Sequence, residues 1–204
     1  QLQAHAPAMG WPFVKRRMRA ELGPGWQDKF ADFGKEAAHA ASLGQVHRAR
    51  LHDGREVACK LQYPDMSSAV ESDVSQLRSL LGLFKRMDGS IDPSEMVGEI
   101  TDRLREELDY ERERKAMRLY KMMLAEKDFV TVPQPHDDLS TGRLLSMSWV
   151  SGQPLKAFET APQEVRNGIA EMLFWTWWHP MNRYGVIHGD PHLGNYQITG
   201  EGSG

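Results

Sequence analysis

The sequence is poor in cysteine, in excess charge of either sign and in long apolar runs. Cys59 is the only cysteine among 204 residues, which excludes a disulfide framework and fits a reducing compartment. The net charge of −3 gives no electrostatic footprint for nucleic acid, so we expect no nucleic-acid partner. No apolar run reaches the length of a membrane span and no secretory signal opens the sequence, so we expect a cytoplasmic protein.

What is present is ordinary for a globular chain, with 40% hydrophobic and 26% charged residues. The length suits one good-sized domain or a small two-lobed one. The sequence opens on Gln1 without a Met and closes on a Gly-rich stretch over 200–204. We therefore expect a fragment of a longer protein.

The stretch over 185–195 starts apolar and strand-like and then turns abruptly polar. Asp190 and Asn195 are five residues apart, and in an extended loop both side chains can point at one small volume. Phosphoryl transfer uses such a pair, with an Asp that orients or deprotonates the attacking hydroxyl and an Asn that holds Mg²⁺. The pattern resembles the His-x-Asp-x-x-x-x-Asn loop of kinases, with Gly189 where protein kinases usually carry Arg.

Two other interpretations of this loop are open. Gly-Asp-Pro and Leu-Gly-Asn are both good turn sequences, so the stretch could be structural. His188, Asp190 and His192 could also form a metal cluster, although no further ligand stands nearby at suitable spacing.

Small residues over 37–44 lead into a predicted strand, and an Asp-Gly turn joins it to a second strand over 55–62. Alternation predicts that one face of the second strand carries Val57, Cys59 and Leu61 and the other Ala58, Lys60 and Gln62. A Val-Ala-x-Lys sequence after such a loop is typical of a nucleotide pocket, with the ammonium on the phosphates. The alternative is an exposed lysine on an edge strand.

A helix is predicted to begin at Asp92 as N-cap and to continue past residue 107. Its apolar stripe is predicted to comprise Met96, Ile100, Leu104, Leu108 and Glu111. Glu107 flanks that stripe and could reach the strand lysine, as a kinase Glu does. The alternative is that the glutamates are surface charges paired with neighbouring arginines; this set comprises Glu106, Glu107, Glu111 and Glu113.

A short strand is predicted over 129–133 and another over 144–150, which runs into a linker. That arrangement is typical of a kinase hinge, so Met147 and Val150 are predicted to contact adenine. A helix over 162–178 follows, and its tryptophans Trp175, Trp177 and Trp178 are predicted to form core beneath the loop.

Four segments together resemble the UbiB family of atypical kinase-like proteins, also called ADCK or AarF-related. Residues 40–47 are similar to the family's alanine-rich loop, and residues 57–64 to its strand and exit. Residues 107–113 match its Glu-x-Asp-Tyr-x-x-Glu motif, and residues 188–195 are similar to its Asp-Pro-His-Pro-Gly-Asn loop. The resemblance extends from residue 1 to about residue 198.

The resemblance implies an α+β, two-lobed protein-kinase-like fold, with an antiparallel sheet and extra helices in the N-lobe and a truncated C-lobe. The expected division is a partial N-terminal helical extension over 1–35, the N-lobe over 36–151 and the start of the C-lobe over 152–204. The implied cofactors are ATP and Mg²⁺. The implied substrate is a small molecule, or a lipid or quinone-related compound. The implied partners are ubiquinone (coenzyme Q) biosynthesis proteins and a membrane surface, to which the protein would bind peripherally.

Carried onto this sequence, the resemblance assigns catalytic roles to Asp190, to Lys60 and to Glu107 as the partner of Lys60. Asn195 becomes a magnesium ligand. The implied nucleotide-binding residues are Ala40, Ala41, Ser42, Gly44, Val46, Lys60, Met147 and Val150. The activity implied for the full-length protein is that of an ATPase or small-molecule kinase that supports ubiquinone biosynthesis or lipid metabolism.

The sequence departs from the family at His39, Leu193 and Ser148, and it contains neither the family's Lys-x-Gly-Gln segment nor an Asp-Phe-Gly segment after Asn195. We therefore expect this fragment to bind nucleotide poorly and to be inactive. Two other functions are open. A phosphotransferase of the aminoglycoside or choline kinase kind has a similar His-Gly-Asp-x-x-x-x-Asn loop, and a nucleotide-sensing scaffold would use neither Lys60 nor Asp190 in chemistry.

Overall fold

A computed structural model describes residues 9–41, 43–64, 66–87, 94–189 and 192–200. The chain groups into two compact units. The first comprises Gln1–Arg114 and Pro135–Ser148, and the second comprises Lys115–Gln134 and Trp149–Gly204. The division into 1–35, 36–151 and 152–204 stays a prediction.

The first unit contains an antiparallel sheet of five strands. They are β1 (Asp32–Phe33), β2 (His39–Ala41), β3 (Gly44–Arg50), β4 (Glu56–Gln62) and β5 (Leu144–Ser148). The order is β1-β3-β4-β5, and β2 also pairs with β3. The sheet places β4 in the interior, so residues near its centre have neighbours on both sides.

The alternation predicted for β4 is confirmed on its first face, where Val57, Cys59 and Leu61 are fully buried. They pack beneath α1 (Trp11–Leu22), which contributes the buried side chains Val14 and Met18. Each such side chain contributes roughly 1.5–3 kcal/mol when removed from water. Burial also raises the pKa of the Cys59 thiol to about 12, so this cysteine is a core residue without thiolate chemistry.

Two buried polar side chains of β3, His47 and Gln45, lie beside this core. His47 is fully buried, and its ring stacks on Phe33 with 5.4 Å between ring centroids. Its Nδ1 donates to the carbonyl of Gly34 at 2.8 Å, and its Nε2 accepts from the Gln45 amide at 2.7 Å. Burial lowers the pKa of His47, so the ring is held in its neutral form.

Two further helices, α2 (Met66–Met87) and α3 (Ser94–Leu108), pack on each other through Val70, Val74 and Val97. The predicted cap at Asp92 lies outside the described residues. The stripe predicted for this helix is wrong at its start, because Met96 and Ile100 are exposed. The inward face is one residue further along, where Val97 and Thr101 are buried.

The prediction of one helix through Glu111 is also wrong. The structure ends α3 at Leu108 and starts α4 (Tyr110–Met123) two residues later. Asp109 lies between them, and its Oδ1 accepts hydrogen bonds from the backbone N–H groups of Glu111 and Arg112 at 3.1 and 3.0 Å. That is the bonding of a helix N-cap, so Asp109 begins a new helix.

The second unit is organised on α5 (Gln163–Tyr184), which begins within one residue of the helix predicted over 162–178 and whose inward face includes Val165, Ile169 and Met172. Gly185, at φ +68°, ends this helix in the left-handed conformation. Two short strands, β6 (Gln153–Pro154) and β7 (Gln197–Ile198), pair antiparallel.

The strand predicted over 129–133 is wrong. A turn over 128–129 is closed by the Val130 N–H, which donates to the carbonyl of Lys127, and residues 130–133 are irregular. Among the described helices, none combines the length and apolar character that crossing a bilayer requires.

Candidate active site

The centre of the candidate site in the first unit is the ammonium group of Lys60. Lys60 lies in the middle of β4, opposite Val46 on β3 and Leu145 on β5. Its Nζ donates to both carboxylate oxygens of Glu113, at 3.1 Å each, and lies 4.9 Å from the centre of the Tyr110 ring. The interior strand position excludes the edge-strand alternative, and the ion pair orients the lysine.

The local sequence explains how Glu113 reaches this lysine. Asp109 caps α4, so Tyr110 and Glu113 stand one turn apart and face the same way. The Gln62 side-chain amide donates to the carbonyl of Leu108 at 2.6 Å, which fixes the start of α4 against the end of β4. Asp109, Tyr110 and Glu113 thus have separate physical roles within the Glu-Leu-Asp-Tyr-Glu-Arg-Glu segment.

The predicted pairing of Lys60 with Glu107 is wrong, because the structure pairs Lys60 with Glu113. Glu107 is an exposed residue near the end of α3, on the far side of the Asp109 cap. The alternative that Glu113 is an ordinary surface charge is also wrong. The capping residue Asp109 is the sequence signal that could have identified Glu113 as the partner. It starts a new helix and so changes which glutamate faces the sheet. A catalytic role for Glu107 stays a prediction.

Tyr110 is 1% exposed and lies beneath the ammonium. Burial raises the pKa of its hydroxyl, and the neighbouring carboxylates of Glu113 and Glu107 raise it further. The phenol is therefore neutral, and its ring face offers Lys60 a second, weaker attraction beside the carboxylate. Sequence reasoning missed this residue, although it stands in the motif that the resemblance quoted.

The alanine-rich segment forms a tight hairpin rather than an open loop. Ala40 and Ala41 lie on β2, paired with Gln45 and Gly44, and Ser42 lies outside the described residues. A side chain at Gly44 would collide with the backbone carbonyl of Leu61, so close packing of β3 on β4 requires this glycine. Val46 is half-buried and stands directly across from Lys60.

The two residues predicted to contact adenine are placed in different units. Met147 lies on β5, in register with Ala58, and forms an isolated bridge with Pro135. Val150 follows in the second unit and is half-buried. Their contact with adenine stays a prediction.

The candidate loop of the second unit follows Gly185. Asp190 lies outside the described residues, and Asn195 is an exposed residue at the end of a short 3₁₀ turn over Leu193–Asn195. The turn is held by the Asn195 N–H, which donates to the carbonyl of His192 at 3.0 Å, and by the Gly194 N–H, which donates to His192 Nδ1 at 3.1 Å. The functional roles of Asp190 and Asn195 stay predictions.

Aromatic side chains contact the two ends of this loop, at His188 and Tyr196. His188 lies between the rings of Tyr120 and Tyr196, and the Trp177 Nε1 donates to the Tyr196 hydroxyl at 2.7 Å. The prediction of a tryptophan core beneath the loop fits Trp177 alone, because Trp175 and Trp178 are 37% and 40% exposed. Within the described part of the chain, no cluster of three or more His, Cys, Asp or Glu side chains is arranged to hold a metal ion.

Comparison with known proteins identifies the family and the fold of this chain. The sequence profile of the ABC1 atypical kinase-like domain matches residues 1–203. The chain belongs to the ABC1 atypical kinase-like family, and its mixed α+β structure with an antiparallel sheet is kinase-like.

Two relatives illustrate the similarity. The mitochondrial atypical kinase coq-8 of Caenorhabditis elegans is 36% identical over 198 residues, which cover 92% of this chain and 26% of that protein. The mitochondrial atypical kinase COQ8B of Rattus norvegicus is 33% identical over 186 residues, which cover 91% of this chain and 35% of that protein. The chain therefore spans only about a third of the length of such relatives or less.

A solved structure matches more fully. It is the Rv3197–erythromycin complex from Mycobacterium tuberculosis, with a TM-score of 0.86 and 29% sequence identity, and the match covers 96% of this chain and 50% of the other.

Proposed function

We propose that this chain is part of an ATP-binding atypical kinase or ATPase of the UbiB type. The observation that carries the proposal is the ion pair between Lys60 of an interior strand and Glu113 of α4, at 3.1 Å. A strand lysine ordered by a helix glutamate is the arrangement by which kinases orient the phosphates of ATP.

The geometry of Lys60 suits a contact with a phosphate group. Its side chain is 22% exposed, so it is not sealed within the core. An ammonium group has three donors and Glu113 accepts at most two of them, which leaves one for a phosphate oxygen. In this proposal Val46, across the strand pair from Lys60, packs against the nucleotide, and the hairpin around Ala40 and Ala41 covers it.

In this proposal Asp190 and Asn195 act on the transferred phosphoryl. Asp190 would orient the attacking hydroxyl or water, and the Asn195 carboxamide would be one oxygen ligand of Mg²⁺, the donor type that this ion prefers. When bound, ATP would supply the phosphoryl group and Mg²⁺ would neutralise the charge of the phosphates. Asn195 alone is not a complete site, so further metal ligands must come from the nucleotide and from other residues.

We also propose that the full-length protein supports ubiquinone biosynthesis or lipid metabolism, acting peripherally at a membrane together with ubiquinone-biosynthesis proteins. The support is membership of the family and the named relatives, which are atypical kinases of mitochondria. The substrate in this proposal is a small molecule or a lipid or quinone-related compound.

The test uses the full-length protein, with ATP affinity and ATP turnover measured separately. We expect Lys60→Met to weaken ATP binding and Asp190→Asn to keep binding but lose turnover. Lys115→Met, which removes an exposed lysine of α4, is the control for loss of positive charge. Unchanged ATP turnover and quinone production in Asp190→Asn would favour the non-catalytic scaffold. Phosphorylation of a soluble alcohol would favour the aminoglycoside or choline kinase kind.

A further inference from the structure

We infer that Tyr120, Trp177 and Tyr196 are positioning residues that, together with His188, hold both ends of the loop that carries Asp190 and Asn195. We call these four residues the aromatic clamp. The inference deepens the proposed function, because it assigns the clamp to the loop on which phosphoryl transfer would depend. All four residues belong to the second unit.

The first end of the loop is held at His188. Its ring meets the edge of the Tyr120 ring, with 5.3 Å between centroids and an angle of 79°. This is the T-shaped arrangement that aromatic pairs favour. The Tyr120 hydroxyl is buried and bonds no protein group among the described residues, and burial raises its pKa. The ring of Tyr120, rather than its hydroxyl, therefore makes the contact.

The second end of the loop is held at Tyr196, the residue directly after Asn195. The Tyr196 hydroxyl accepts a hydrogen bond of 2.7 Å from Trp177 Nε1 on α5. Its ring also lies 5.8 Å from the His188 ring, between centroids. The two ends of the loop thus contact each other, while one is attached to α4 and the other to α5.

The clamp matters because a glycine directly follows its first residue in the chain. Gly189, the residue after His188, has a positive φ of +79°, and glycine places little restriction on the chain. A misplacement of reacting groups by about 1 Å can cost on the order of a hundredfold in rate. Side chains that fix His188 and Tyr196 would therefore set where Asp190 and Asn195 stand, without touching substrate themselves.

Two substitutions test the hydrogen bond of the clamp, and Tyr196→Phe does so with the aromatic ring retained. Trp177→Phe removes the donor and Tyr196→Phe removes the acceptor of the same hydrogen bond. In the full-length protein we expect each to lower kcat about fivefold, the effect of one ordinary hydrogen bond. ATP affinity should stay within about twofold, because Lys60 is untouched. The double variant should be no worse than either single one, since both remove one bond.

The Tyr120 contact is tested separately, by Tyr120→Leu and Tyr120→Phe. We expect Tyr120→Leu to lower kcat and Tyr120→Phe to restore it, because only the phenylalanine keeps the ring edge. Trp178→Phe is the matched control, since Trp178 adjoins Trp177 on α5 but is 40% exposed and stacks on Phe174 instead.

A second measurement does not depend on activity. Hydrogen exchange of backbone amides over 186–198 should become several-fold faster in Trp177→Phe and Tyr196→Phe than in the unmodified protein or in Trp178→Phe. Equal exchange in all four proteins would overturn the inference, as would a Trp178→Phe effect as large as that of Trp177→Phe. An unmodified protein that hydrolyses no ATP would refute the proposed ATPase activity. The exchange rates would still show whether the clamp holds the loop.

Discussion

The structure assigns the lysine partner to Glu113, and a pair of matched substitutions tests that assignment. Glu113→Gln removes the charge while keeping the size of the side chain, so it breaks the ion pair with little loss of packing. Glu107→Gln makes the same chemical change six residues earlier in the sequence. Both glutamates belong to the same short motif, so a comparison of the two variants separates the ion pair from general loss of negative charge.

The size of the effect follows from the geometry of the pair. Two unit charges about 4 Å apart attract by about 1 kcal/mol in water and about 4 kcal/mol in a typical protein surface environment. The side chains of Lys60 and Glu113 are 22% and 35% exposed, so solvent screens much of this attraction. Allowing for that screening, we expect a loss of about 1–2 kcal/mol, above the range of fully exposed pairs. That loss corresponds to a factor of about 5–30.

The assay is ATP turnover by the full-length protein, measured as kcat/KM, with ATP affinity measured alongside. Glu113→Gln should lose about 5–30-fold in kcat/KM, and Glu107→Gln should lose less than about twofold if it acts only as a surface charge. Adding Lys60→Met to Glu113→Gln should cost little beyond Lys60→Met alone, because the two act as one unit. A larger loss in Glu107→Gln than in Glu113→Gln would refute the assignment.

Three further predictions concern the first unit and can be measured on this chain. Gly44→Ala should lower the free energy of unfolding by about 2–3 kcal/mol in urea titrations, because its methyl group meets backbone; an unchanged midpoint would contradict the close approach. Cys59, fully buried with its pKa raised to about 12, should react with iodoacetamide at pH 8 at least about 100-fold more slowly in the folded chain than in urea; rapid labelling without denaturant would show the strand to be open. The pKa of His47 is lowered from 6.5, so the unfolded chain binds the proton more readily and stability should fall as pH drops below about 6.5; a His47→Gln variant should show a shallower loss between pH 7 and pH 5, and an equally steep loss would assign the effect to other groups.

Much of the fold could be predicted from local pattern. Strand β4 alternates buried and less buried positions as its sequence indicates, because period-two patterns report directly on the two faces of a sheet. Helix α5 begins at Gln163, one residue after the start that its sequence indicates. These features depend on neighbouring residues alone, which is why the sequence was sufficient to predict them.

The errors lie where a side chain decides the path of the backbone. The apolar pattern across 96–111 predicted one helix, but the Asp109 carboxylate bonds two backbone N–H groups and starts another. The segment over 129–133 is rich in β-formers, yet no described strand pairs with it along its length. In both cases the hydrogen-bond partners, rather than residue propensities, determine the structure.

The candidate site shows the same limit of prediction from sequence. The motif over 107–113 was the right place to look for the partner of Lys60, but it contains more than one glutamate. In an uninterrupted helix, residues six apart differ by roughly 240° in direction, so Glu107 and Glu113 could never face the same lysine. The choice between them is made by the Asp109 cap, which turns the chain and brings Tyr110 and Glu113 together against β4. The residue that caps the start of α4 thus selects the glutamate that meets the strand lysine, and this selection depends on the path of the backbone rather than on the two glutamates themselves.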